Sequence, residues 1–221
     1  MPRTDYTAQL EALRNDVVAM GELVLDRYDM AIEAVEREDP TMAATVVEGD
    51  REVNTRYLAL ERDCIDLFAL QQPVAGDLRF VVASFKIVTD LERVGDLATN
   101  LAADPTRPGA ERYPGVDVLD VAESARDMVA DALGAYATED AAACWEIAER
   151  DDCLDARCEE AGRAVVDALL EAEVGADADA VRADASRLLV FVRDVERVGD
   201  HAVNIAARTL YMVDHDDSLL F

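Results

Sequence analysis

Three oxygen-bearing side chains, Glu92, Asp96 and Asn100, follow one another at steps of four, and Glu196, Asp200 and Asn204 repeat the spacing 104 residues later. In an α-helix, positions i, i+4 and i+8 form one slowly drifting stripe, with about 6 Å of rise per step. Each stripe is therefore a row of oxygen donors, a set that suits hard cations such as Mg²⁺, Mn²⁺ or iron. Asp50 with Asn54, and Asp151 with Asp155, add two shorter pairs of the same kind. If the helices that carry them are neighbours, facing rows can surround more than one cation. A buried polar network with Arg56, Arg93, Arg157 and Arg197 would use the same residues, and the sequence leaves both readings open.

The long rows lie inside a duplication. Asp90-Leu-Glu-Arg-Val-Gly-Asp-Leu-Ala-Thr-Asn-Leu-Ala102 returns as Asp194-Val-Glu-Arg-Val-Gly-Asp-His-Ala-Val-Asn-Ile-Ala206, identical at nine of thirteen positions. Earlier in each half the offset is 101: Asp39 matches Asp140, Glu48 matches Glu149, Asp50 matches Asp151, Asn54 matches Asp155 and Arg56 matches Arg157. The change of offset places three extra residues in the middle loop of the second half. Glu, Asp and Asn at this spacing also decorate ordinary solvated faces. Against that, the stripe is duplicated, Asn keeps its place beside two acids, and Gly95 and Gly199 sit mid-helix, where each costs about 1 kcal/mol relative to Ala. A glycine there permits close helix approach. His201 replaces Leu97 and is poorly aimed for a metal, so a packing or ligand-supporting role is expected; no role is expected for His215.

The elements that must position these rows read as six helices. The first runs from about Thr4 to Arg37, with Leu10, Val17, Val24 and Ala31 at heptad spacing and Leu13 and Met20 between them, a bundle seam. Glu38-Asp39-Pro40 breaks it, with Pro40 in the first turn of the second helix, which ends at Gln72-Pro73. A third helix opens near Gly76, with Asp77 as its N-cap, and ends at Asp104-Pro105. Pro105, Pro108, Gly109, Pro114 and Gly115 mark the one clear linker. The fourth helix spans about 116–137. Thr138-Glu139-Asp140 caps a fifth that runs to about Glu173, and Gly175 separates it from a sixth over about 178–214. In the tail, Leu219, Leu220 and Phe221 could dock.

Short connections require antiparallel neighbours. The expected fold is all-α: two tandem antiparallel three-helix bundles related by pseudo-twofold symmetry. Residues 1–104 make the first bundle, 105–115 the linker, 116–215 the second bundle and 216–221 a tail.

Composition narrows the function. The 221 residues carry a net charge of −27, and Lys86 is the single lysine among 21 basic residues. Direct nucleic-acid binding needs clustered basic residues and is not expected. Acidity without lysine suits high salt, where the Debye length is about 3 Å at 1 M, and points to a halophile. No stretch approaches the 18–20 apolar residues of a membrane span, and Met-Pro-Arg-Thr-Asp-Tyr lacks the apolar core of a secretion signal; a cytoplasmic protein is expected. Cys64, Cys144, Cys153 and Cys158 form no Cys-x-x-Cys pair and read as buried reduced thiols. No phosphate loop, nucleophile elbow or Cys/His pairing suggests an enzyme. The di-iron bundle motif Glu-x-x-His fails too, because Val198 and Met212 precede the histidines by three.

These residues resemble the PhoU family of phosphate-uptake regulators. The resemblance rests on Glu48-Gly-Asp-Arg-Glu-Val-Asn54, Gln72-Pro-Val-Ala-Gly-Asp-Leu-Arg79 and the two Glu-Arg-Val-Gly-Asp motifs, in an order that covers nearly the whole chain. It implies a tandem pair of three-helix bundles, usually a homodimer, and with the acidity a halophilic archaeon as source. In the family the acidic motifs bind Mg²⁺, Mn²⁺ or multinuclear iron or zinc clusters. Carried over, Glu92, Asp96 and Asn100 would face one cluster and Glu196, Asp200 and Asn204 the other, with Asp50, Asn54, Asp151 and Asp155 contributing from the second helix of each half. PhoU-like proteins act without known catalysis. They damp phosphate-starvation signalling and restrain the high-affinity phosphate transporter through its ATPase subunit or a sensor kinase. The second half lacks a counterpart of Gln72–Arg79, so Asp77 and Arg79 have no symmetrical mates. The expectation is a non-enzymatic, metal-binding regulator. A purely structural adaptor with buried salt-bridge networks is the alternative, and metal-assisted hydrolysis of a phosphate compound ranks last.

Overall fold

A computed structural model describes residues 3–71, 73, 75–105, 117–171 and 178–220. They form α1 (Arg3–Glu36), α2 (Pro40–Gln71), α3 (Ala75–Ala102), α4 (Val118–Thr138), α5 (Ala141–Glu171) and α6 (Ala178–Asp214), with no strand among the described residues. The proline- and glycine-rich linker from 106 onward, Gln72, Gly175 and Phe221 lie outside the described residues.

The turns repeat as closely as the motifs do. Glu38 and Glu139, 101 residues apart, both take the left-handed conformation at φ 51° and 57°. The next residue then folds back: the Asp39 N–H donates to the Ala34 carbonyl at 2.9 Å, and the Asp140 N–H to Ala135 at 3.0 Å. This is the helix-closing pattern usually reserved for glycine. The same two aspartates then cap the following helices. Asp39 Oδ1 accepts from the N–H groups of Thr41 and Met42, and Asp140 Oδ1 from those of Ala142 and Ala143. Thr138 and Glu139 thus close α4 rather than open α5. The expected Asp77 cap is also corrected: α3 already starts at Ala75, so Asp77 sits inside its first turn, where a carboxylate still suits the helix dipole.

Within each half three helices pack together: α1, α2 and α3, then α4, α5 and α6. The heptad seam lies as its spacing requires, with Leu13, Val17, Met20, Val24 and Ala31 buried and Leu10 partly so. The two units are not separate bodies, because one apolar cluster runs through both. The helices α1 and α4 meet, as do α3 and α6, leaving α2 and α5 outside. Contacts pairing Arg14 with Tyr136 and Asp29 with Arg126 show α1 and α4 running antiparallel. Along this seam the Tyr28 hydroxyl donates to the Ala122 carbonyl at 3.3 Å. Ser84 gives its proton to the Phe80 carbonyl, so its oxygen accepts from buried Tyr136 at 2.7 Å. The Arg14 guanidinium lies over Phe80 and Tyr136, a cation–π contact.

Cys64, Cys144 and Cys158 are buried and free, and burial pushes their thiols up to about 12, 11 and 12. Such thiols are inert at neutral pH. Cys153 is a correction, being exposed on α5.

Candidate functional site

Gly95 and Gly199 set the distance between the helices that carry the acids. A Cβ on Gly95 would stand 3.1 Å from Val53 Cγ1 of α2, and one on Gly199 would stand 2.4 Å from Leu154 Cδ2 of α5. Val53 and Leu154 are buried duplicates of each other. Each inserts into the notch its glycine leaves, which draws α2 onto α3 and α5 onto α6. The acids flanking these knobs are thereby brought face to face.

In the first repeat Asp50 of α2 meets Asp96 and Glu92 of α3. Burial raises the Asp50 carboxyl above its usual range and the Asp96 charge adds to this. Burial and Asp96 raise Glu92 in the same way, and Arg93 works against it. Two donors relieve this crowding. Asn54 Nδ2 donates to Asp50 Oδ2 at 2.6 Å. Arg93 places Nε 3.6 Å from Glu92 Oε2 and Nη1 3.4 Å from Asp96 Oδ2.

In the second repeat Asp151 and Asp155 of α5 meet Glu196 and Asp200 of α6. Burial, then Asp155 and Asp200, push Asp151 up to about 6. Burial with Asp200 raises Asp155, and burial with Asp155 and Asp200 raises Glu196. Asp151 Oδ1 is enclosed yet has no hydrogen-bond partner among the described residues. It lies against Gly199, 3.1 Å from where a Cβ would stand.

Asn100 and Asn204 stand apart from these clusters. Exposed Asn100 lines a groove of about 300 Å³ with Arg187, Phe191 and Asp194. Exposed Asn204 reaches instead toward Asp90 of α3, its Nδ2 3.5 Å from Oδ1. Asp90 also holds His201 Nδ1 at 2.9 Å, so His201 ties α6 to α3 rather than facing α5. Its mate Asp194, buried at 2% exposure, is bonded by its neighbour Arg193. Reading the motif by donor rows passes over Asp90 and Asp194. Their place at the head of both copies of the motif was the available signal.

The PhoU domain model matches residues 17–104 and matches again over 118–209. The chain belongs to the PhoU family. It is 33% identical over 218 residues to a phosphate-specific transport system accessory protein PhoU homolog of Pseudomonas putida, covering 96% of this chain and 82% of that protein. It is 28% identical over 214 residues to the PhoU of Escherichia coli K12, covering 96% and 86%. The crystal structure of PhoU from Pseudomonas aeruginosa superposes with a TM-score of 0.86 at 30% identity, covering 96% of this chain and all of that one. The regulatory protein PhoU from Streptococcus pneumoniae has the same fold, with a TM-score of 0.83 at 24% identity and 96% and 98% coverage.

The cations expected from PhoU-like motifs can be tested against the side chains present. The donors are hard oxygens on facing helices, and Asp151 Oδ1 is a buried acceptor without a donor. Neither the Asp151–Asp155 pair nor Glu196 and Asp200 have an ion-pair partner among the described residues. The donor set thus suits a hard cation in kind. It is not gathered to coordination distance: among the described residues no three His, Cys, Asp or Glu side chains form a ready ligand group.

Proposed function

We propose that this chain is a non-enzymatic accessory protein of phosphate transport that binds metal and restrains phosphate uptake and its starvation signalling. The observation that carries the reading is the pair of PhoU domains spanning most of the chain, in relatives named as accessory proteins of phosphate-specific transport. No helix among the described residues is long and apolar enough to cross a membrane. The partner in this reading is the transporter's ATPase subunit or a sensor kinase, because the relatives are named as accessory proteins of phosphate-specific transport. A homodimer is the assembly we propose, in a halophile's cytoplasm.

The physical logic is conformational. The carboxylates on α2 and α3, and on α5 and α6, repel one another across each glycine notch. A divalent or iron-type ion held by Asp50, Glu92 and Asp96, or by Asp151, Asp155, Glu196 and Asp200, would turn that repulsion into attraction. The outer helices α2 and α5 would then be held in one position, and a partner could read it.

Two measurements test this. Elemental analysis of purified protein should show bound metal that Glu92→Ala with Asp96→Ala reduces; unchanged content counts against the cation role. Affinity capture in high salt from phosphate-starved and replete cells should recover transporter or kinase subunits. Recovery in neither condition removes the adaptor function.

A further inference from the structure

We propose that the groove between the C-terminal half of α2 and the N-terminal half of α3 is the docking surface for an acidic amphipathic helix of a partner protein. The proposal rests on the accessory-protein reading above for the existence of a partner, and uses nothing of the metal reading. The contact of Val53 with Gly95 sets the antiparallel register of α2 on α3. About three turns further on, that register brings Ile65 level with Val82, and Phe68 level with Leu78. Phe68 and Phe85 are partly buried against the core and floor the groove. Above them Leu58 (48% exposed), Ile65 (52%), Leu78 (40%) and Val82 (43%) stay open. A contiguous apolar surface of this kind with a charged rim marks an interaction site.

The rim is basic, in a chain whose net charge is −27. Arg62 lies between Leu58 and Ile65 on α2, and Arg79 and Lys86 lie on either side of Val82 along α3. None of the three makes an ion pair among the described residues, and Arg79 Nε is enclosed without an acceptor. Glu61, level with Phe85, already accepts from the Tyr57 hydroxyl at 2.9 Å. The second repeat shows what differs. Arg163, the match of Arg62, pairs with Glu159, and Glu159 is the match of Leu58. Leu58 therefore adds apolar surface and leaves Arg62 free. Leu78 and Arg79 belong to the Gln72–Arg79 stretch, which has no counterpart before α6; the positions matching them hold Arg182, paired with Asp179, and Ala183. The one-sided motif thus serves a one-sided surface. A second copy meeting this groove face to face would set the three cations against their own duplicates, and an anionic membrane would meet the negative field of the whole chain. Leu58 and Ile65 stand about 10 Å apart along α2, which suits anchors at i and i+7 of a helix lying in the groove, with acidic residues along its borders.

The test uses the intact chain and a fluorescein-labelled helical peptide of roughly 18 residues, with leucines at i, i+4 and i+7 and glutamates at the borders. A second peptide carries lysines in place of the glutamates. Fluorescence anisotropy at fixed KCl should show saturable binding of the acidic peptide, roughly tenfold tighter than the basic one; net charge alone predicts the reverse order. Lys86→Glu with Arg62→Glu should weaken the acidic peptide roughly tenfold, and Ile65→Asp should abolish its binding. Val166→Asp, at the matching place on α5, should change nothing. These four positions are exposed, and circular dichroism verifies the fold. The proposal is overturned if the acidic peptide does not bind, if the basic one binds more tightly, or if Ile65→Asp leaves binding intact. It is also overturned if Ile65→Asp instead removes self-association in sedimentation or binding to phosphatidylglycerol vesicles. Each of these results leaves the adaptor reading standing wherever transporter or kinase subunits are captured from cells. Peptide binding as expected, with no such subunit captured, supports the surface and removes the reading it rests on.

Discussion

The two repeats agree where geometry is at stake and part where charge is. The left-handed Glu38 and Glu139, the capping Asp39 and Asp140, and the notch glycines Gly95 and Gly199 are the same residue types doing the same work. The positions beside them have drifted: Asn54 against Asp155, Leu97 against His201, Val53 against Leu154. The α1/α4 seam is uneven too. Tyr28 reaches Ala122, while Gly21, the position matching Ala122, leaves room for Leu133, whose Cδ2 stands 2.5 Å from where a Cβ would be. A duplicated bundle keeps its turns and close approaches because the backbone path depends on them. Its side-chain chemistry is free to diverge on either side of the same scaffold.

The largest test of this pairing strikes the knobs in the notches. Leu154 and Val53 are 2% and 1% exposed. Truncation removes buried methyl groups and leaves a hole between an outer helix and an inner one. Leu154→Ala should cost about 3 kcal/mol and Val53→Ala about 2 kcal/mol, by urea unfolding at fixed salt. Equal losses would mean the second-repeat notch collapses around the smaller side chain. The notches themselves give the next effect. Ala in place of Gly gains about 1 kcal/mol of helix propensity. At Gly199 that gain is outweighed, since the new Cβ forces Leu154 to shift inside the core at a typical 1–3 kcal/mol. A net loss of about 1 kcal/mol is expected there. At Gly95 the 3.1 Å approach to Val53 yields by a few tenths of an ångström, and the two effects should cancel to within about 0.5 kcal/mol.

Much of this was legible in the chain. Heptad spacing over Leu10–Ala31 gave the buried face of α1, and the identical offsets of Asp39/Asp140 and Asp50/Asp151 gave two copies of one helix–turn–helix. The convergence of Asp50 on Asp96, and of Asp151 on Asp200, followed from placing both stripes on helices joined by short turns. Helical periodicity tells which face of a helix is buried, but not which helix covers it. The fusion of both repeats into one core was therefore hidden, since Tyr28–Ala122 and Ser84–Tyr136 join residues 94 and 52 apart. The same limit explains Asn204. Its spacing from Asp200 is right for the stripe, but about two turns on from Glu196 the drift carries it off α5 and toward Asp90 of α3. Asp77 was misplaced because a helix can begin before a good capping residue when the preceding turn allows it, here at Ala75 with φ 49°.

The acid clusters separate the repeats by pH. Asp151 is pushed up to about 6 from an ordinary 3.8, so the folded protein holds this proton more tightly than the unfolded chain. By linkage the penalty is absent below the unfolded value, grows as pH rises between about 4 and 6, and is complete above that. The other shifted cluster carboxyls, Asp50, Glu92, Asp155 and Glu196, move the same way. Metal-free protein should therefore gain stability from pH 7.5 to pH 5. The Asp151 share is about 1 kcal/mol, after discounting the full shift for a half-enclosed group screened by solvent. Asp151→Asn should remove that share and raise stability at pH 7.5, whereas Asp50→Asn, with Asn54 already relieving it, should do less. A pH profile identical in wild type and Asp151→Asn breaks the account of like-charge crowding.

The smallest effect expected lies where the repeats meet at the surface. Arg126 forks onto Asp29 with Nε and Nη2 at 2.8 and 2.9 Å, bridging α4 to α1. The positions matching them at offset 101 are the apolar Leu25 and Ala130, so this tie belongs to one side of the pseudo-twofold alone. Its side chains are 31% and 46% exposed, and a pair this open is worth about 0.5 kcal/mol at low salt even with bidentate geometry. Above 1 M salt the Debye length shrinks to about 3 Å and the coupling should vanish. A double-mutant cycle with Arg126→Ala and Asp29→Ala, run at both salt concentrations, measures it directly. Coupling that persists above 1 M would show that the fork is part of the joint between repeats, held by its geometry rather than by long-range attraction. Coupling that disappears would leave that joint to the apolar core and to the buried hydroxyls of Tyr28 and Tyr136, which salt does not screen.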